Sequence, residues 1–182
     1  MEWTGARLAD QPEAQVRTWI AASTEQVWPV VSDIELLPAA SAELRSVQWL
    51  DGATGPAVGA RFLGRNRNEA LGEWTTTSHV VECAPGRFFA WAVQDPADPI
   101  ATWRFALSPR EGGTDLAYRV RLGTGRSGLT RAIARAPERE RQVVAQRLRD
   151  LERNMVTTLE QLKRHAESRG SRHLADRRPS AE

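Results

Sequence analysis

A single cysteine, Cys83, stands among 182 residues. No intrachain disulfide can form, no cysteine-rich metal site exists, and a reducing, cytoplasmic home is the simplest expectation. Lysine is scarcer than usual too. Lys163 is the only one, so the 25 basic side chains are otherwise arginines, and 23 acids leave a net charge of +2. A nucleic-acid binder concentrates its cations on one face with aromatic stacking residues among them. Here Arg139-Glu140-Arg141 and Arg149-Asp150-Leu151-Glu152-Arg153 interleave both signs. That is the pattern of a solvated face laced with pairs three or four residues apart, so no nucleic-acid partner is expected. No apolar run approaches the roughly 20 residues a bilayer-spanning helix needs, so no integral membrane association is expected. The opening MEWTGARLADQPEAQ lacks the apolar core of a secretory signal. A Ser-His-Asp set, a phosphate loop and an HExxH zinc motif are all missing, and the reading calls for no cofactor and no metal.

What is present is alternation. Gln15 to Ala21 reads as a strand, with Val16, Thr18 and Ile20 on one face and Arg17 and Trp19 on the other. Ser23 then caps a short helix, with Gln26 completing a capping box and Val27, Trp28, Val30 and Val31 as its apolar side. Asp33 caps a second short helix that Pro38 helps to stop. From Glu43 the period is two, in candidate strands 44–50, 59–66, 73–83, 87–94, 101–108 and 115–122. The breaks carry turn chemistry: Asp51-Gly52, Gly55-Pro56, Leu71-Gly72, Pro85-Gly86, Pro96 with Pro99, and Gly112-Gly113. Short breaks mean hairpins, hence an antiparallel meander.

After Gly128 the period turns helical. Leu129 to Arg135 makes a lead-in turn and Pro137 suits the first position of the next helix. Val144, Leu148, Leu151, Met155, Leu159 and Leu162 then form one apolar stripe, long enough to cross a sheet. The expected organisation is an N-terminal extension (1–12), one domain (13–167) and a disordered basic tail (168–182). One sheet and one amphipathic helix must bury their apolar sides against each other. A strongly curved sheet of seven strands is wider than one helix can fill, which leaves a cavity.

Two stretches carry a family resemblance: Ile20 to Asp33 (IAASTEQVWPVVSD) and Glu82 to Phe88 (ECAPGRF), joined by Ala101 to Phe105, Gly113-Thr114, and Arg153-Asn154-Met155 through Leu159. Over roughly Val16 to Ala166 the chain resembles the START/Bet v 1-like (SRPBCC) superfamily, in its polyketide cyclase/dehydrase and lipid-transport branch. The resemblance implies an α+β helix-grip fold: a curved seven-stranded antiparallel sheet around a long C-terminal helix, with two short helices after the first strand. It implies less about chemistry, because this fold hosts carriers, lipid-transfer domains, cyclases and stress proteins.

Strand parity selects the residues that would line the cavity. Trp103, Phe105 and Leu107 share a face, as do Leu116, Tyr118, Val120 and Leu122; Phe62, Gly64 and Asn66; and Phe89, Trp91 and Val93. On 73–83 the favoured inward set is Trp74, Thr76, Ser78 and Val80, which puts His79 outside unless a bulge reverses the faces. The candidate ligand-binding residues are therefore Phe62, Asn66, Trp74, Thr76, Ser78, Phe89, Trp91, Trp103, Phe105 and Tyr118, with Leu148, Leu151 and Met155 of the helix. Each tryptophan has a plainer role as core packing, and Asn66, Thr76 and Ser78 are either water-satisfied or set around a polar ligand group. The entrance is expected between the helix near Met155 and the loops 67–72 and 95–100.

The cavity is expected to bind or carry an apolar small molecule, a lipid, polyketide or aromatic, in a monomer or weak homodimer. Alternatively the chain is a cyclase- or dehydratase-like enzyme. Tyr118 would then donate to an enolate, or His79, the only histidine of the sheet region, would move a proton. Glu69 and Asp95 could rim the mouth, and Cys83 is either a nucleophile or a small apolar filler. A third possibility, a stress-related or partner-regulated protein, requires an exposed apolar patch. The shortage of buried acid–base groups favours binding over turnover.

Overall fold

Period-two alternation becomes a single sheet. A computed structural model of the chain describes residues 5–69 and 72–176, with side chains through Arg169. The strands are β1 (Glu13–Ile20), β2 (Leu44–Trp49), β3 (Arg61–Asn68), β4 (Gly72–Ala84), β5 (Phe88–Val93), β6 (Ala101–Arg110) and β7 (Gly113–Leu122). Every neighbouring pair is antiparallel. The order is β1-β7-β6-β5-β4-β3-β2, a six-strand meander to which β1 adds on the far side of β7. Each strand lies within two residues of its expected bounds.

The concave face is built in rows. Val80, Trp91, Trp103 and Val120 stand side by side across β4 to β7, and next to them run Cys83, Phe89, Phe105 and Tyr118. The two rows agree because β4 carries a bulge: the register shifts between Val80 and Glu82. Trp74 to Val80 therefore face inward on even numbers, and beyond the bulge Cys83 takes that side.

Between β1 and β2 lie α1 (Thr24–Val31), a 3-10 turn (Ile34–Leu36) and α2 (Leu37–Ala40). The expected capping box exists: the Gln26 amide donates to Ser23 Oγ at 3.4 Å and the Ser23 amide to Gln26 Oε1 at 3.0 Å. Asp33 caps the 3-10 turn by accepting from the Glu35 amide. Pro38 acts otherwise than expected. It lies in the first turn of α2, where its missing N–H costs nothing, so it helps to start that helix. Val27, Val30 and Val31 are fully buried, and Trp28 meets Phe89 edge-on at 6.5 Å, so α1 closes one end of the sheet.

The lead-in turn is α3 (Gly128–Arg135), and after a 3-10 turn (Pro137–Arg139) comes α4 (Glu140–Asp176). All six residues of the apolar stripe from Val144 to Leu162 are buried. The Thr158 hydroxyl donates to the Ala40 carbonyl at 3.1 Å and ties α4 to α2. α4 also corrects the reading of the tail, because helix continues through residues 168–176; extending a formed helix avoids the nucleation cost that a polar segment could not meet alone. The remainder of the expected tail, 177–182, lies outside the described residues. The N-terminal extension is partly docked: Leu8 is buried and its amide donates to the Glu140 carboxylate at 3.0 Å. Among the described residues no helix is long and apolar enough to cross a membrane.

Candidate functional site

The sheet curves further than α4 can follow, and a cavity of about 1000 Å³ remains between them. Its deep wall is aromatic. Trp91 stacks on Trp103 with centroids 6.3 Å apart, Trp103 on Tyr118 at 5.2 Å, and Phe62 meets Trp91 edge-on at 6.1 Å. Leu151 and Met155 of α4 face these rings. Ten of the thirteen expected contact residues line the space: Phe62, Asn66, Trp74, Thr76, Ser78, Trp91, Trp103, Tyr118, Leu151 and Met155.

Phe89, Phe105 and Leu148 do not. They point to the expected side but are fully buried in the core, where α1 closes over their end of the sheet. Parity names a face, whereas depth along the strand decides whether that face meets cavity or packing.

The opening also differs from expectation. Met155 is 1% exposed and belongs to the interior. The exposed lining residues lie instead on α3, the 3-10 turn after it and the first turns of α4, including Arg131, Arg139 and Gln142, and opposite them at strand ends, Glu73 and Gln94. Glu69 and Asp95 are absent from the lining; the neighbouring strand-end residues Asn68 and Gln94 take those places.

Polar groups on the deep wall fall into two kinds. Asn66 Nδ2 donates to Thr76 Oγ1 and to the Gly64 carbonyl, each at 3.3 Å, so this pair is largely satisfied by the protein. Tyr118 is 7% exposed and Ser78 is 3% exposed. Among the described residues, neither hydroxyl has a hydrogen-bond partner in the protein. Burial pushes the Tyr118 phenol well above its ordinary value, so it stays protonated and acts as a donor.

His79 stands opposite Arg61 and Ala92 on the convex face and does not line the cavity. Catalysis through His79 in the cavity is thereby set aside, and no histidine is within the lining. Cys83 faces the core beyond the bulge, its thiol pushed up by burial and directed to the Pro56 carbonyl at 3.4 Å, as suits a filler rather than a nucleophile.

One ion pair in the wall escaped the sequence reading. Arg147 of α4 grips Glu43 with both nitrogens, at 2.7 and 3.0 Å, and Asn68 Nδ2 donates to the same carboxylate at 3.1 Å. Burial alone would push Glu43 up, but Arg147 and Asn68 together hold it below its ordinary value. The available signal was spacing: Arg147 precedes Leu151 by four and Met155 by eight, which sets a charge on the apolar stripe. Among the described residues no group of His, Cys, Asp and Glu could hold a metal ion.

The arrangement can enclose an apolar ring system and donate hydrogen bonds to its oxygens. Comparison with known proteins agrees on the fold. A polyketide-cyclase-like protein from Corynebacterium glutamicum is 27% identical, with 92% of this chain and 96% of that one covered and a TM-score of 0.63. The di-domain ARO/CYC StfQ from the steffimycin biosynthetic pathway is 17% identical, with 87% of this chain and 51% of that one covered and a TM-score of 0.67. The di-domain ARO/CYC BexL from the BE-7585A biosynthetic pathway is 21% identical over 86% of this chain and 50% of its own, at a TM-score of 0.65. This chain thus spans about half the length of either di-domain protein. No curated protein matches it significantly in sequence. The family model described as polyketide cyclase / dehydrase and lipid transport matches residues 11–167, from just before β1 into the last turns of α4, and the chain belongs to that family.

Proposed function

We propose that this protein binds an apolar, oxygen-bearing small molecule of the aromatic polyketide or lipid class and holds it in the cavity. The observation that carries this reading is the pair of buried, unpartnered hydroxyls, Tyr118 and Ser78, on a wall rich in aromatic rings, Phe62, Trp91 and Trp103. A filled core would leave neither group without a partner, because a buried unsatisfied hydroxyl costs about 1–3 kcal/mol. A ligand oxygen supplies what the protein withholds. Apolar contact provides most of the affinity: about 300 Å² of ligand surface removed from water contributes roughly 7 kcal/mol before the costs of association. The hydroxyls then set orientation.

Turnover is the second reading, and one observation favours it. The Tyr118 phenol is protonated and buried among aromatic rings, where it can donate to a developing enolate. A cyclisation or dehydration also needs a base, and the lining carboxylates are Glu43, held by Arg147, and Glu73 and Asp150 toward the opening. Binding therefore stands ahead of catalysis.

Native mass spectrometry of the purified chain, under gentle and then denaturing conditions, tests both. A specific non-covalent mass that is lost in Tyr118→Phe and Trp103→Ala supports the cavity as its site. Return of that molecule unchanged after incubation supports carriage, and a loss of the mass of one water supports the enzyme. A ligand screen that gives no binding at all, read through the cavity tryptophans, would count against both.

A further inference from the structure

The two ends of the cavity differ in charge. Five arginines line it, Arg126, Arg131, Arg139, Arg147 and Arg149, and all belong to the β7–α3 link, α3, the 3-10 turn after it or the start of α4. Arg147 is committed to Glu43, and Arg149 donates to the Gln146 side-chain oxygen at 2.9 Å. The side chains of Arg126, Arg131 and Arg139 make no ion pair or hydrogen bond among the described residues. Elsewhere several arginines find acids, Arg61 with Asp51, Arg104 with Glu82, Arg119 and Arg121 with Glu13, Arg153 with Asp150; what sets these three apart is that they stand together in the lining of one cavity. The local acids do not answer the three at the opening. Glu140 is taken by the Leu8 amide and Arg7, Asp150 by Arg153 and Gln146, while Glu73 stands on β4 across the opening. The chain reversal at Ala136-Pro137 brings Arg131 and Arg139 to the same rim, and Ser127 and Gly128 turn the α3 N-terminus to the cavity as well.

Resting on the cavity as a ligand site, we infer that the ligand is an amphiphile whose acidic group, a carboxylate or phosphate, is held at the opening by Arg126, Arg131 and Arg139. Its apolar body runs inward. Leu122, the last residue of β7 and four before Arg126, is four strand residues from Tyr118, about 13 Å at roughly 3.3 Å each. That distance suits a medium-length acyl or fused-ring body with an acid at one end. Arginine forks match both carboxylate and phosphate oxygens.

The test is tryptophan-fluorescence titration of the full chain with dodecanoate, dodecyl phosphate and dodecanol, repeated with Arg131→Gln/Arg139→Gln and with Arg164→Gln, an exposed control on α4. Both anions are expected to bind about tenfold or more tighter than dodecanol, a preference that weakens with added salt. The double variant should lose most of that preference while keeping its affinity for dodecanol, which also shows that it is folded. Arg164→Gln should leave all three unchanged. A dianionic phosphate outbinding the carboxylate assigns the headgroup to the phosphate class, and the reverse assigns it to carboxylates. Equal binding of all three, or an anion preference that survives in the double variant, overturns the acidic-headgroup assignment and leaves the cavity standing. Failure of all three to bind overturns this inference together with the cavity reading beneath it.

Discussion

Tyr118 concentrates the trade between stability and binding in one side chain. Its ring stacks on Phe105 with centroids 4.2 Å apart, and that packing survives replacement by phenylalanine. Its hydroxyl, by contrast, has no protein partner among the described residues, so removing it relieves a desolvation penalty. Tyr118→Phe is therefore expected to leave the ligand-free protein as stable as the parent or up to about 1 kcal/mol more stable, while affinity for an oxygenated ligand falls several-fold. Thermal melts and titration of the same preparation read the two effects, and a destabilised variant would contradict the unpartnered hydroxyl. Tyr118 and Ser78 were both legible as inward residues from strand parity. That their hydroxyls lack partners was not, because satisfaction depends on atoms from strands distant in sequence.

At the scale of elements, two fastenings set the shape of the cavity wall. The first is the Glu43–Arg147 pair, which joins α4 to the β2–β3 edge and leaves Glu43 with 16% of its side chain exposed. Its sign with pH is fixed by the lowered value in the folded state. Stability is fully present above the unfolded carboxylate's ordinary 4.5 and is lost as the pH falls through the lower folded value. Glu43→Gln is expected to cost about 1–2 kcal/mol at neutral pH, and the gap to the parent should close in urea titrations carried below pH 4.5. The second fastening is Gly123, whose amide donates to the Ile100 carbonyl at 2.9 Å. A Cβ placed there would lie 1.9 Å from the Pro99 carbonyl oxygen. Gly123→Ala must move the β5–β6 loop or break this contact, and a loss of about 2 kcal/mol or more is expected by denaturant unfolding. A normal midpoint would show that the loop yields freely. Neither fastening was read in advance, since each joins segments more than twenty residues apart through one side chain or one missing one.

For the molecule as a whole, the prediction concerns volume. Met155 is fully buried against the cavity, and Met155→Trp extends the side chain into the open space rather than into packing. It is expected to reduce ligand affinity at least tenfold while changing stability by less than about 1.5 kcal/mol, as fits a site with room to spare. Arg119→Ala, on the convex face beside Glu13, should change affinity little. Saturating ligand should raise the melting temperature of the parent, by about 2.7 kcal/mol of added stability at a hundredfold excess over Kd, and not that of Met155→Trp at the same concentration. Among the described residues, the large exposed apolar side chains Trp19, Val58 and Val156 lie on β1, the β2–β3 link and α4.

The order of elements, the faces of β3 to β7 and the stripe of α4 were determined by the sequence alone. Side-chain direction along a strand has a period of two and along a helix 3.6, and both are local properties. The length of β4 leaves room for a bulge, but its place, between Val80 and Glu82, is set by pairing with β5. Only the tertiary structure decided how far along each strand the packing ends and the cavity begins. Phe105 and Trp103 share a face two residues apart, yet one is sealed in the core and the other lines the cavity. The difference comes from where α1 and α4 cross the sheet, and no local pattern in the chain encodes a crossing point. The same holds for the rim: Arg139 reads as a solvated cation in an interleaved run, and only the tertiary structure places it with Arg131 in the lining of the cavity.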